Sequence, residues 1–62
     1  MNLKLRAKIL EKFGSQAEFS MAVKEDESTI SRIIRNRRKP SEEQKIRWAN
    51  IIGCKHNEIF SD

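Results

Sequence analysis

The sequence predicts an all-α fold of about five helices, and three features of the chain support this prediction. Apolar residues recur every three to four positions, which is the spacing that puts them on one face of a helix. Two capping boxes, beginning at Ser15 and Ser41, mark helix starts, and Gly14 and Gly53 stand where apolar runs stop. Because 62 residues leave room for only a small core, we expect a single domain over residues 1–62.

The first helix is predicted near residues 2–13, and Gly14 is its expected end. A second helix follows at once, because the Ser15 hydroxyl can accept from the backbone amide of Glu18 while the Glu18 side chain reaches back. This helix should run to about residue 23, with its apolar side chains on one face. The apolar positions of the two helices are Leu3, Leu5, Ile9, Leu10, Phe13, Phe19 and Val23.

A third helix is predicted over residues 27–35, with Asp26 as its N-cap and an inner face of isoleucines. The second capping box opens a fourth helix over residues 41–52, and one last helical turn is expected at residues 57–60. The spacing of Trp48 in the fourth helix predicts that it belongs to the core. The inner face of the third helix is formed by Ile30, Ile33 and Ile34.

The composition argues for a polyanionic partner and against an enzyme. The net charge is +4, and residues 32–39 hold five basic side chains and no acidic one. The chain has one cysteine and one histidine, and it contains no Ser/His/Asp set, no metal-ligand cluster and no glycine-rich phosphate loop. We therefore expect no enzyme activity, no catalytic residue, no metal and no cofactor. The unpaired cysteine and the lack of a long apolar segment predict a cytoplasmic protein with no membrane partner.

The third helix and the basic segment after it have a structural and a functional interpretation. In the structural one, the segment is only a solvated, positively charged loop. In the functional one, Ser28, Ser31 and Arg32 on the outer face of the helix read base edges in a DNA major groove. The basic residues behind them would then bind the flanking phosphates. The position of the basic run, directly after a short helix with a polar face, favours the functional interpretation.

The stretch QAEFSMAVKEDESTISRI resembles the helix-turn-helix of lambda-repressor-like proteins, a family of phage repressors, Cro proteins and small bacterial regulators. Gln16 occupies the opening position, and Ser20 matches the small residue where the two helices cross. The continuation RRKPSEEQKIRWANIIGC…NEIF resembles the family's loop, fourth helix, glycine stop and final helix, so the resemblance covers about residues 13–60. It implies a five-helix lambda-repressor-like DNA-binding domain with the helix-turn-helix at helices two and three.

Glu42 and Lys45 replace commonly apolar residues of the fourth helix, and three further positions depart from the family pattern in or next to the helix-turn-helix. Lys24 stands where the family usually has glycine in the turn, and a positive φ there would cost about 1 kcal/mol. Glu25 stands at a position that is often apolar. Ile34 stands where the family often has a glutamate paired with an arginine of the first helix. Packed apolar groups can replace such a pair without loss of stability, so Ile34 is expected against Ile9 or Leu10.

The resemblance implies a sequence-specific regulator of transcription, of phage-repressor or Cro type, that binds double-stranded DNA as a homodimer on a palindromic operator. Its place of action would be the nucleoid of a bacterium or of a phage-infected host. Two alternatives remain open at this point. The same fold could serve an antitoxin or another protein-interaction module. RNA binding is also possible in principle, but the lack of exposed aromatic side chains for base stacking disfavours it.

The resemblance also assigns roles to individual residues. Glu27 remains ambiguous, because its carboxylate could accept from the N4 amino group of cytosine or could simply complement the helix dipole. Predicted base-reading residues are Glu27, Ser28, Ser31 and Arg32. Predicted contacts to the DNA backbone are Gln16, Thr29, Arg35, Asn36, Arg37, Arg38 and Lys39. Candidates for a dimer contact are Ile51, Cys54, His56 and Ile59.

Overall fold

The computed structural model describes residues 1–60, and these residues form five helices and no strand, which confirms the all-α prediction. The predicted helix limits differ from the observed ones by one residue at most. The last two positions of the predicted 1–62 domain lie outside the described residues. The helices are α1 (Leu3–Phe13), α2 (Gln16–Val23), α3 (Glu27–Ile34), α4 (Glu42–Ile52) and α5 (His56–Ile59).

Side-chain caps explain where α2 and α4 begin. The Ser15 hydroxyl accepts from the Glu18 backbone amide at 3.2 Å. The Ser41 hydroxyl accepts from the Gln44 amide at 3.1 Å, and the Gln44 side chain accepts from the Ser41 amide at 2.8 Å. Only the Ser41 box is therefore closed in both directions. Asp26 holds the predicted N-cap position of α3, but its side chain makes no capping hydrogen bond, so that part of the prediction was wrong.

Asn2 ties the start of α1 to the ends of two other helices. Its side-chain oxygen caps α1 by accepting from the Leu5 amide at 3.0 Å. Its backbone N–H donates to the Ile34 carbonyl at the end of α3 at 2.6 Å, and its side-chain amide donates to the Ile59 carbonyl at the end of α5. Three helix ends therefore meet at one residue, which the sequence analysis had not singled out.

The core is built around Trp48, as predicted. The indole ring packs edge-on against Phe19 of α2, with ring centroids 5.2 Å apart, and against Phe60 at 5.9 Å. Trp48 therefore brings α4 into contact with the helix-turn-helix segment and with the chain after α5. The buried residues are Leu5, Ile9, Phe19, Val23, Ile30, Ile33, Ile34, Trp48, Ala49, Ile52 and Ile59.

The side chains of α1 correct one sequence prediction. Leu3 and Leu10 were counted with the inner face, but they are 64% and 37% exposed. The reason is geometric, since α1 enters the core through the narrow face that carries Leu5 and Ile9. Ile9 and Ile34 both lie in this core, so apolar packing occupies the place where the family often has an ion pair.

A turn of three residues joins α2 to α3 and sets the direction of α3. Lys24 adopts the left-handed conformation with φ 58°, as expected for a position where glycine is usual. The Lys24 and Glu25 amides both donate to the Ser20 carbonyl, which closes the end of α2. The turn thereby leaves one face of α3 on the core and the other in solvent.

Candidate nucleic-acid interface

The outer face of α3 presents polar side chains to solvent. Glu27, Ser28 and Arg32 are exposed, and Ser31 is half-buried. The opposite face is buried through the three isoleucines of the helix. Because the isoleucines hold α3 by one side only, the polar side is free to approach a partner.

An open groove beside α3 collects residues from three helices. Five of its lining residues were predicted as DNA contacts, whereas Arg6 of α1, a basic residue that also lines it, was not. The Arg6 side chain is exposed. A guanidinium in this groove can donate to a phosphate, and no sequence pattern indicated that α1 would lie alongside α3. The groove is lined by Arg6, Gln16, Glu27, Ser28, Ser31 and Arg35, among others.

The chain leaves α3 through a tight backbone turn. Asn36 has φ 61°, and its amide donates to the Ile33 carbonyl at 3.1 Å. The Arg37 amide donates to the Arg32 carbonyl at 2.8 Å. These two bonds form a Schellman motif, which reverses the chain and leads it away from the helix axis. The basic residues that follow are therefore displayed beside α3 and do not extend it.

The basic side chains of this region are available to a partner. Arg32, Arg35, Arg37, Arg38 and Lys39 are all exposed. Within residues 1–60, the only basic residues that form ion pairs are Arg47 and Lys45. None of the five basic residues of this region has an acidic partner. Uncompensated cations clustered on one side attract a polyanion at long range. Asn36, Arg38 and Lys39 line a second cavity beside the loop, whereas Thr29, Arg32 and Arg37 line neither cavity.

A family model described as helix-turn-helix matches residues 5–59, nearly the whole chain. The chain belongs to the lambda-repressor-like helix-turn-helix family. The family consists of DNA-binding regulators of transcription, so the helix-turn-helix of α2 and α3 is a DNA-binding element. No curated protein and no solved structure matches the chain in the same comparisons.

Glu25, in the turn of the helix-turn-helix, is a residue whose role the sequence analysis missed. Its carboxylate accepts hydrogen bonds from three side chains of α4: Gln44 Nε2 at 2.6 Å, Trp48 Nε1 at 2.7 Å and Arg47 Nη2 at 2.8 Å. The Glu25 side chain is only 14% exposed. The turn that orients α3 is thereby fastened to α4. The available signal was a charged residue at a position that is often apolar in the family. That signal did not indicate which side chains Glu25 would bond.

The charge of Glu25 is stabilised by these donors. Burial by itself disfavours the carboxylate and raises its pKa, but the hydrogen bonds from Trp48, Gln44 and Arg47 and the charge of Arg47 outweigh burial. The pKa of Glu25 is therefore held below its ordinary value, and the group is ionised at neutral pH.

The candidates for a dimer contact differ in how accessible they are. Ile59 is buried in the core, so its prediction as a surface contact was wrong. Ile51 is half-buried and packs against the core. Cys54 and His56 line a shallow groove between α4 and α5 together with Ile46, which is 54% exposed. Burial and the Glu58 charge raise the pKa of the Cys54 thiol, against the opposing charge of Lys8.

Among residues 1–60, no helix is long and apolar enough to cross a membrane. In the same range, no three His, Cys, Asp or Glu side chains come together in a group that could hold a metal ion.

Proposed function

We propose that residues 1–62 form a single helix-turn-helix domain that binds double-stranded DNA at specific sequences and regulates transcription, as phage repressors and Cro proteins do. One observation carries the proposal. The polar outer face of α3 is followed directly by a loop whose basic side chains are exposed and, within residues 1–60, have no acidic partner. A reading helix needs such flanking cations to hold it in register on the phosphates.

In this proposal α3 lies in the major groove. Two N–H groups of the Arg32 guanidinium donate hydrogen bonds to O6 and N7 of a guanine. Ser28 and Ser31 reach neighbouring base edges. Glu27, at the start of α3, either accepts from a cytosine N4 amino group or serves the helix dipole. Arg32 carries the largest share of the sequence preference, because only a bidentate contact discriminates one base pair strongly.

The DNA backbone is held on both sides of α3. Gln16 at the first position of α2 and Thr29 in α3 contact one strand, with Arg35 beside them. The remaining contacts come from the loop. Because phosphates are the same at every base pair, these residues contribute affinity and register but no sequence preference. The loop contacts are Asn36, Arg37, Arg38 and Lys39.

We further propose that two chains bind together, on an operator with inverted symmetry, in the cytoplasm on the bacterial nucleoid. Two recognition helices about 34–36 Å apart meet successive major grooves on one side of the duplex, which is why dimers of this kind require palindromic sites. The accessible surface for such a dimer is the groove lined by Ile46, Cys54 and His56.

The test distinguishes residues that contact base edges from residues that contact phosphates. A preferred site is first selected from random duplexes, and binding to this site and to a scrambled duplex is then titrated at several salt concentrations. Arg32→Ala should cost about 1–3 kcal/mol on the preferred site and relax the preference at one base pair per half-site. Arg38→Ala or Lys39→Ala should weaken both duplexes alike and lower the log–log salt slope by about 0.9 per lost contact, or twice that for a dimer.

Specific outcomes would contradict each part. Equal weakening of both duplexes by Arg32→Ala makes Arg32 a phosphate contact and moves the reading face elsewhere. If Arg38→Ala and Lys39→Ala change neither the DNA affinity nor the salt slope, the basic segment is only a solvated loop. Failure of the selection to enrich any duplex favours the alternative of an antitoxin or protein-interaction module, which needs no reading face.

A further inference from the structure

A second cavity lies beside the basic loop, and it is lined by four parts of the chain. Asn2, the loop at 36–40, Lys45 of α4 and Phe60 border a space of about 370 Å³. This volume falls in the range of sites for small organic ligands, which extends from about 300 to 1,000 Å³. The cavity is distinct from the groove beside the outer face of α3, with which it shares no lining residue.

The wall of the cavity is held rigidly. Asn2 is fixed by three hydrogen bonds, to Leu5, Ile34 and Ile59, so its position does not depend on a ligand. Asn36 is fixed by the Schellman turn at the end of α3. A preformed wall lowers the entropy that a ligand has to give up on binding.

The lining carries positive charge. Arg38, Lys39 and Lys45 contribute three cations, and no acidic residue within 1–60 lines the cavity. The Lys45 ammonium lies 3.5 Å from the Glu42 carboxylate, but that carboxylate is 83% exposed, and a pair of this kind is weak. The Lys45 side chain is itself only 20% exposed, and Lys45 lines the cavity. Three cations converging on one small space match a phosphate group, which offers several anionic oxygens.

The apolar part of the lining is formed by two residues. These are Phe60 and Pro40, and the Phe60 ring packs against the Trp48 ring with 5.9 Å between centroids. An aromatic ring beside a cluster of cations is the combination that binds a nucleotide, because the base stacks on the ring while the phosphate meets the cations.

We propose that this cavity is a binding site for one nucleotide unit, with its phosphate on Arg38, Lys39 and Lys45 and its base or sugar against Phe60. The nucleotide has two possible sources with the same chemistry: a unit of the DNA bound by the helix-turn-helix, or a free mononucleotide. The first source rests on the proposed function and adds Lys45 and Phe60 to its contacts. The second source makes the site an effector site, since a free nucleotide would occupy the side chains of Arg38 and Lys39 and weaken DNA binding.

The free-nucleotide arm uses the wild-type chain and nuclear magnetic resonance. Adenosine 5′-monophosphate, adenosine and inorganic phosphate are titrated separately into ¹⁵N-labelled protein. The monophosphate should give saturable shifts at the amides of Asn36, Lys39 and Lys45. Adenosine and phosphate alone should bind more weakly, because each lacks one half of the contacts. Equal binding of phosphate and monophosphate would overturn the role of Phe60.

Matched variants assign the binding to the cavity. Lys45→Gln should raise the dissociation constant of the monophosphate by about tenfold or more, since a hydrogen bond with a charged group contributes that much. Arg37→Gln removes the same charge from the same loop, but Arg37 does not line the cavity, so it should leave the constant nearly unchanged. Phe60→Leu should weaken the monophosphate and spare inorganic phosphate. If Lys45→Gln and Arg37→Gln have equal effects, the monophosphate is attracted by the general positive charge of the region and is not bound in the cavity.

The DNA arm compares Lys45→Gln with Lys12→Gln. Lys12 has the same charge, but its ammonium lies beside Gly53 at the opposite end of α4 from the loop. Lys45→Gln should lower the magnitude of the log–log salt slope by about 0.9 per chain on any duplex, and Lys12→Gln should not. A change in the DNA arm alone assigns the site to DNA, and saturable monophosphate binding assigns it to a free nucleotide.

The two proposals fail in different ways. If the wild-type chain binds no duplex, the proposed function is wrong, and the monophosphate titration still tests the cavity. If the wild-type chain binds DNA but Lys45→Gln and Lys12→Gln behave alike and no monophosphate binding saturates, the cavity proposal is overturned while the proposed function stands.

Discussion

Trp48 donates its indole Nε1–H to the carboxylate of Glu25 at 2.7 Å, which joins the centre of the core to the turn of the helix-turn-helix. The same carboxylate accepts from Gln44 and Arg47, so three donors of α4 converge on one acceptor. The core of this chain is small, and a hydrogen-bonded carboxylate at its edge therefore contributes a sizeable part of the contact between the turn and α4. Glu25 thus fixes where α3 begins relative to the rest of the molecule.

Glu25→Ala should destabilise the chain by about 2 kcal/mol, because it removes the acceptor of the Trp48 indole N–H, of Gln44 Nε2 and of Arg47 Nη2. Urea unfolding followed by Trp48 fluorescence measures the change. Glu43→Ala is the matched control, since Glu43 pairs with the same Arg47 but is 81% exposed. That variant should change the free energy of unfolding by less than about 0.5 kcal/mol. Equal losses in the two variants would show that the bonds to Glu25 add nothing beyond an ordinary surface pair.

Acid should remove the contribution of the Glu25 charge. Its pKa is lower in the folded chain than its ordinary value of 4.5, so folding favours the ionised form. The stabilisation is therefore complete above about pH 4.5 and is lost as the pH falls through the folded pKa. The difference in unfolding free energy between the wild type and Glu25→Gln should shrink as the pH falls through this window. A difference that stays constant down to about pH 3 would contradict the linkage.

Ser15→Ala should cost about 1 kcal/mol of stability, because the hydroxyl of Ser15 satisfies the Glu18 amide at the start of α2. Ser28→Ala serves as the control, since Ser28 is exposed in the first turn of α3 and caps nothing. Thermal and urea unfolding of the two variants should differ by about that amount. A loss near zero in Ser15→Ala would mean that water replaces the hydroxyl without penalty.

Lys24→Gly should stabilise the chain by about 0.5–1 kcal/mol, because glycine adopts the left-handed conformation without the steric cost that a lysine Cβ meets. Asn36→Gly is the comparison, since Asn36 has nearly the same positive φ of 61°. Asparagine tolerates this conformation better than lysine, so the gain at Asn36 should be smaller. The urea midpoints of the two variants measure the difference. A larger gain at Asn36 than at Lys24 would refute the strain argument.

Two chains should bind each operator. Sedimentation of a fluorescent duplex that carries the selected site should give a stoichiometry of two chains, and the site should have inverted symmetry. Ile46→Ser should weaken the second binding event, because Ile46 is the exposed apolar side chain of the groove between α4 and α5. Met21→Ser, on α2 and 64% exposed, is the control and should leave the stoichiometry unchanged. One chain per site in the wild type would rule out the dimer.

Much of the helical framework could be predicted because its signals are local. A serine with a glutamate or glutamine three residues later indicates where a helix starts. The Ser15 and Ser41 hydroxyls both cap their helices as expected. The exposed face of α3, which carries its predicted DNA-contacting residues, could also be predicted from local sequence. Helical periodicity separates this polar face from the isoleucines. Whether those residues contact DNA as assigned stays a prediction for the binding experiments.

The sequence by itself determined the helices, their order and the burial of Trp48, because capping, glycine stops and apolar spacing act over a few residues along the chain. Only the tertiary structure decided what Glu25 and Asn2 do and on which side Ile59 lies. The Glu25 bond to Trp48 spans 23 residues, and the Asn2 bond to Ile59 spans 57. Such partners are chosen when helices dock, since docking determines which polar groups leave water together and must satisfy one another.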